Sequence, residues 1–131
     1  MTLNAGLKHL VLLGAGHAHV QVLHGLAQSR PADLRLTVIA PFPRQLYSGM
    51  VPGFVAGHYT LDQCVIPLDG LLSRCDARYL PTSGVAIDAA AKTVLLASGE
   101  TVGYDWLSVN TGPEMDREKI DALMPGAREH A

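Results

Sequence analysis

The sequence predicts an α/β fold with a parallel sheet, a βαβ start and a small antiparallel meander. Three observations carry that expectation. Lys8 to Gly14 is a continuous apolar run bounded by glycine, the pattern of a strand covered on both faces. From His17 to about Gln28 the apolar period becomes helical, and Leu34 to Ala40 returns to β-branched strand character. Strand, glycine turn, helix and strand within about 33 residues form a crossover unit, which is nearly always right-handed.

Each element has its own signal. Val22, Leu23 and Leu26 repeat at helical spacing in the first helix, and Pro31 lies just past its end. Pro41 and Pro43 stop the second strand. From Pro41 to Pro67 the chain holds four prolines and three glycines, which predicts a long irregular binding loop. Its apolar content argues against a solvated linker. Asp69 is positioned to cap a short helix over Gly70 to Arg74, followed by a short strand at Arg78 to Leu80. Val85 to Asp88 and Thr93 to Leu96, with a turn near Ala91-Lys92 and then Ser98-Gly99-Glu100, predict the meander. Tyr104 to Gly112-Pro113 reads as another buried strand ending at a glycine turn. The tail from Glu114 to Ala131 is expected to form one loose helical turn or to fray.

Composition narrows the function classes. A chain of 131 residues accommodates one domain with a core of its own. With 48% apolar and 17% charged residues, disorder and coiled coil are both excluded. The net charge of −2 removes any bulk electrostatic case for nucleic acid or an anionic membrane. No apolar run approaches the roughly 20 residues of a membrane span. Leu7 to Ala18 is too short a run for an export signal and ends in Gly14-Ala15-Gly16, so a cytoplasmic chain is expected. Ten residues separate Cys64 from Cys75, which fits neither a C-x-x-C redox pair nor zinc knuckles and predicts two free, buried or half-buried thiols. His17 and His19 stand about 200° apart around a helix and do not converge, and neither cysteine nor acid completes a metal set around them and His24. No metal site is expected. His17 and His19 are expected to cap the helix or touch phosphates, and His58 to donate a loop hydrogen bond. No hydrolase motif is present.

The chemistry-bearing feature is Gly14-x-Gly16 between a strand and a helix. The first glycine permits a tight turn, and the second lets a pyrophosphate approach the backbone at the helix N-terminus. At the third glycine position stands His19, so the helix is expected to sit farther from the strand or to tilt. The acid that would hold a ribose at the end of the second strand is absent: Ala40 and Pro41 stand there, with Arg44 and Gln45 shortly after as candidate contacts to an adenosine ribose or phosphate. Taken alone, the two glycines fit a plain tight turn as well as a dinucleotide site.

Three ordered motifs carry a family resemblance. Gly14-Ala15-Gly16-His17-Ala18-His19-Val20, then Tyr47-Ser48-Gly49-Met50-Val51-Pro52-Gly53 with Ala56-Gly57-His58-Tyr59, then Tyr104-Asp105-x-Leu107 through Thr111-Gly112, resemble the FAD-dependent pyridine nucleotide-disulfide oxidoreductase superfamily. The resemblance spans Lys8 to Pro113 and is closest to the type II NADH dehydrogenase-like branch, including the flavoprotein domain fused to selenide, water dikinase. Asn110 replaces the alanine of the family's Ala-Thr-Gly marker.

The resemblance implies a Rossmann-like FAD/NAD(P)-binding fold, with residues 1–131 as the N-terminal part of an FAD-binding domain that is incomplete here. It implies FAD on Gly14, Ala15, Gly16, His17 and Ala18, with Arg44 near the adenosine side. Ser48, Gly49, Met50 and Pro52 would approach the flavin, and Thr111-Gly112 would close the cleft. The implied activity of a full-length parent is hydride transfer from NAD(P)H through FAD to an acceptor such as a quinone, without a cysteine relay. Peripheral contact with the inner face of a membrane or with quinone is implied for that parent only. The alternative is an NAD(P)-binding or interaction module with no redox role of its own. The 131-residue chain alone is expected to hold FAD poorly, to oxidise no NAD(P)H, and to self-associate through apolar surface that a longer chain would cover.

Overall fold

The computed structural model describes residues 6–112 and 117–126. Strand β1 (Lys8–Leu13), helix α1 (His17–Gln28) and strand β2 (Leu34–Ile39) make the βαβ unit, and β1 pairs in parallel with β2 from Lys8↔Leu34 to Leu13↔Ile39. The sheet is completed by β5 (Arg78–Leu80) beyond β2 and by β9 (Trp106–Val109) on the other side of β1, all parallel, in the order β5-β2-β1-β9.

Side-chain alternation divides this sheet into two layers of contact. On one face Leu12, Leu36, Val38 and Ala40 pack with Val20 and Leu23 of α1 and with Leu71, Leu72 and Cys75 at α4 (Asp69–Arg74). On the other, Val11, Leu13 and Ile39 meet Val94 and Leu96 of the meander, which consists of β6 (Gly84–Asp88), β7 (Thr93–Leu96) and β8 (Thr101–Gly103) in antiparallel order. The β6–β7 connection turns through Lys92 at φ 53°, with the Ala91 N–H donating to Asp88 Oδ1 at 2.9 Å. Arg30, after α1, donates to the carbonyls of Cys75 and Leu34 and pairs with Asp76 at 3.5 Å, which ties the ends of α1 and α4 together.

Five details differ from the sequence expectation. The stretch from Pro41 to Pro67 is not irregular. It holds a ribbon of β3 (Arg44–Leu46) against β4 (Val65–Pro67), a 3-10 turn at Ser48–Met50, α2 (Val51–Val55) and α3 (Leu61–Cys64). Pro52 sits in the first turn of α2, where no N–H is needed, and a Thr60–Gln63 capping box starts α3. Asp69 is the first residue of α4 and not its cap, since Leu68 precedes it and makes no side-chain cap bond. Val22 faces outward at 39% exposure, and the buried stripe of α1 is His19, Val20 and Leu23. Strand β9 is an edge strand and so is only half covered, with Trp106 and Val109 exposed. Helix α5 (Arg117–Leu123) runs for seven residues, longer than one loose turn; Pro113 to Asp116 and Ala127 to Ala131 lie outside the described residues.

Candidate functional site

The order β5-β2-β1-β9 reverses direction at β1, since the chain moves to β2 on one side and reaches β9 on the other. In open parallel sheets the crevice outside the carboxyl ends of the strands at such a reversal is the binding position. A cleft of about 600 Å³ opens there, among Gly14, Ala15, Ala40, Arg44, Thr111 and Gly112. Its position follows from chain order alone; its shape comes from side-chain packing.

Gly14 and Gly16 are both required by the close approach of the end of β9. A Cβ on Gly14, whose φ is +94°, would lie 2.3 Å from the Asn110 carbonyl oxygen and 2.4 Å from Thr111 Cα. A Cβ on Gly16 would lie 2.3 Å from Asn110 Oδ1 and 2.9 Å from the Asn110 carbonyl oxygen. The Gly14 N–H donates to Ile39 O at 2.7 Å, the Gly16 N–H to Asn110 O at 3.0 Å, and the Asn110 N–H to Leu13 O at 2.9 Å. The glycine turn is thereby clamped between the ends of β2 and β9.

No side chain caps α1 from Gly16. Asn110 supplies an acceptor from a different element, its Oδ1 lying 3.3 Å from the His19 N–H. The first turn of a helix lacks internal acceptors, so the N–H groups of His17 and Ala18 stay open to the positive end of the helix dipole. That opening and the cleft volume fit a cofactor carrying a diphosphate. The space a side chain would take at Gly14 and Gly16 is already filled by Asn110 and Thr111, so close packing within the chain accounts for both glycines.

His19, at the third glycine position, packs between the helix and the sheet. The ring is 1% exposed and lies under α1, with Nδ1 donating to Gly14 O at 2.8 Å and Nε2 2.8 Å from Ser108 Oγ. The imidazole fills the space between the helix and the strand ends, and neither caps the helix nor reaches the surface. His17 points elsewhere. Its Nε2 lies 3.3 Å from Leu46 O, and its ring meets Tyr47 at a centroid distance of 5.5 Å. This contact joins the start of α1 to the Tyr47–Pro52 segment.

Among the residues expected at the site, Gly14, Ala15, Arg44, Thr111 and Gly112 line the cleft, while Gly16, His17 and Ala18 begin the adjoining helix. Ser48, Gly49 and Met50 form the 3-10 turn and Pro52 lies in α2, outside the lining of this cleft. Phe42, Ser83 and Gly84 also line it, and sequence reasoning did not select them. Only the meander's fold over β1 brings Ser83 and Gly84 here, where a Cβ on Gly84 would lie 2.6 Å from Leu13 Cδ1. Asn110 had a sequence signal, as the departure from Ala-Thr-Gly. Both cysteines are free and buried, away from the cleft lining, with the Cys75 thiol donating to Leu23 O at 2.9 Å.

No protein-family model matches the chain. It is 31% identical over 111 residues to a sulfide-quinone reductase from Aquifex aeolicus (strain VF5), covering 82% of this chain and 25% of that protein. The crystal structure of the Aquifex aeolicus sulfide:quinone oxidoreductase superposes with a TM-score of 0.72 at 26% identity, over 84% of this chain and 25% of that one. NDH2 from Plasmodium falciparum, solved in complex with NADH, shares the fold with a TM-score of 0.69 at 16% identity, over 90% of this chain and 25% of its own. The chain thus spans about a quarter of the length of the relatives it matches. No helix among the described residues is long and apolar enough to cross a membrane.

Proposed function

We propose, for a chain that belongs to the FAD-dependent pyridine nucleotide-disulfide oxidoreductase superfamily, that residues 1–131 form the N-terminal part of an FAD-binding domain in a flavin oxidoreductase. The observation that supports this best is the clamped turn Gly14-Ala15-Gly16 at the sheet reversal, with open N–H groups at the start of α1 beside a cleft of about 600 Å³.

In this reading the N–H groups of His17 and Ala18 receive the cofactor diphosphate, and Arg44 and Gln45 face its adenosine end. Thr111 and Gly112 bound the cleft on the β9 side. His17, held against Leu46 and Tyr47, keeps the Ser48–Pro52 segment beside the glycine turn, where Ser48, Gly49, Met50 and Pro52 face the flavin. FAD held by these residues would supply two-electron redox chemistry between NAD(P)H and an acceptor such as a quinone. Cys64 and Cys75 take no part. Quinone or membrane contact would belong to the longer protein, and exposed apolar side chains such as Val55 and Leu61 favour self-association of this chain.

A second reading rests on Arg44, which lines the cleft where the ribose-binding acid is missing. An arginine there suits the 2′-phosphate of NADP held directly. Titrating the 131-residue chain with FAD, ADP and NADPH separates the readings. Weak FAD binding that ADP displaces, with no NADH oxidation, is expected. NADPH binding well above FAD would favour the second reading, and tightly held FAD with NADH oxidation would show that the functional unit is smaller than proposed.

A further inference from the structure

The meander-facing side of the sheet changes character along its length. Toward the carboxyl ends it presents Val11, Leu13 and Ile39 to the meander. Toward the amino ends the same alternating positions become polar. His9 pairs with Arg35 across β1 and β2, Thr37 with Arg78 across β2 and β5, and Arg35 and Thr37 share a face two residues apart. A cleft of about 700 Å³ lies over these four residues, bounded on the meander side by Glu100 to Asp105.

His9 and Thr37 are 7% and 1% exposed, so their polar atoms need partners. His9 Nε2 lies 2.7 Å from Thr37 Oγ1, and Arg35 Nη2 lies 3.0 Å from His9 Nδ1. A guanidinium only donates, so Nδ1 accepts and Nε2–H donates to the threonine. The buried pair therefore holds Arg35 in place from beneath. Among the described residues neither Arg35 nor Arg78 closes to within 4 Å of an acid. Asp105 accepts the His9 backbone N–H at 2.7 Å, and Glu100 stands on the opposite wall.

We propose that this cleft binds the oxyanion group of a small ligand, phosphoryl or carboxylate, with Arg35 and Arg78 as its donors and His9 and Thr37 as positioning residues for Arg35. Two guanidinium groups on one face match the acceptor-rich geometry of such groups. Glu100 opposite them accepts a hydroxyl or amine from the same ligand and disfavours large polyanions. The site is independent of the cleft at the carboxyl ends of the strands.

The test is thermal shift and calorimetry on the 131-residue chain with inorganic phosphate and with succinate, each against sodium chloride of equal ionic strength. Saturable binding of one or both probes is expected, weakened about tenfold or more in Arg35→Gln and in the exposed Arg78→Gln, and unchanged in Arg74→Gln on α4, which lines neither cleft. Phosphate alone would identify a phosphoryl ligand and succinate alone a carboxylate. His9→Gln is expected to weaken binding less than Arg35→Gln. No effect beyond chloride, or undiminished binding in a folded Arg78→Gln, would overturn the proposal.

Discussion

His19 Nε2 and Ser108 Oγ meet at 2.8 Å, joining the buried face of α1 to the edge strand β9. Asn110, just past the end of β9, returns the connection by accepting the His19 N–H. Two positions that depart from the superfamily pattern, His19 for glycine and Asn110 for alanine, are thus in contact. The imidazole fills the gap that a glycine would close by bringing helix and strand together.

Restoring glycine at position 19 is therefore expected to destabilise the chain. His19→Gly leaves the Ser108 hydroxyl and the Gly14 carbonyl without this partner and opens a cavity, at a cost of about 1–3 kcal/mol from the polar groups alone. Thermal melts should show Tm falling by about 5 °C or more. A double-mutant cycle with Ser108→Ala should give a coupling of about 1 kcal/mol; strict additivity would show that the contact carries no energy.

Gly14 and Gly16 should respond differently to alanine. At Gly14 the positive φ and the backbone of Asn110 and Thr111 both oppose a Cβ, and the backbone conformation alone costs about 1–3 kcal/mol. At Gly16 the nearest obstacle is the Asn110 side chain. Asn110→Gly should recover much of the stability lost in Gly16→Ala and little of that lost in Gly14→Ala. Equal recovery would contradict this geometry. A bulky residue at Gly16 disturbs the fold and the proposed cofactor site together, so flavin retention in such a variant is informative only beside its melting curve.

His9 makes stability depend on pH in a predictable direction. Burial first, then the charge of Arg35, holds the folded pKa below the ordinary 6.5, against the opposing pull of the Gly103 backbone and of Asp105 and with a smaller push from Arg78. The unfolded chain binds the proton more readily, so stability contributed by neutral His9 is present above pH 6.5 and is lost as pH falls from there toward the folded pKa. Between pH 7.5 and 5.5 the wild type should lose more Tm than His9→Gln. Parallel curves would remove His9 as the cause.

Asp105 acts at lower pH. The His9 N–H it accepts holds its carboxyl below the usual value, so its contribution is present above about pH 4 and is lost as pH falls through the depressed pKa. Asp105→Asn should flatten the acid limb of the melting curve below pH 4, and an unchanged limb would count against that role.

The two thiols should be silent in the folded chain. Burial raises the Cys75 pKa, and its Sγ donates to Leu23 O; Cys64 is equally buried, with Sγ 3.4 Å from Thr60 O. A disulfide reagent at pH 8 should titrate neither until denaturant is added, and then both. Rapid reaction of one thiol in the native state would overturn this. In a full-length parent, Cys→Ser at both positions should leave NAD(P)H oxidation largely intact.

The βαβ unit, the meander and the glycine turn were legible because each rests on local pattern. An apolar run at β1, helical spacing after His17, β-branched residues at β2 and turn residues near Lys92 act over a few neighbours, so order along the chain is enough to find them. The ribbon between Pro41 and Pro67 was hidden because β3 and β4 are three residues each and stabilise one another only after pairing. Local pattern was enough for the strand–glycine–helix start, and with it for the end of the sheet at which the β1–α1 turn lies. What fills the glycine cradle was decided by tertiary structure alone, because Asn110 and Ser108 lie some 90 residues from Gly16 and His19. The same holds for His9, Arg35, Thr37 and Arg78, which become one surface only when β1, β2 and β5 align in register. Periodicity assigns a side chain to a face, and only strand pairing determines which side chains share it.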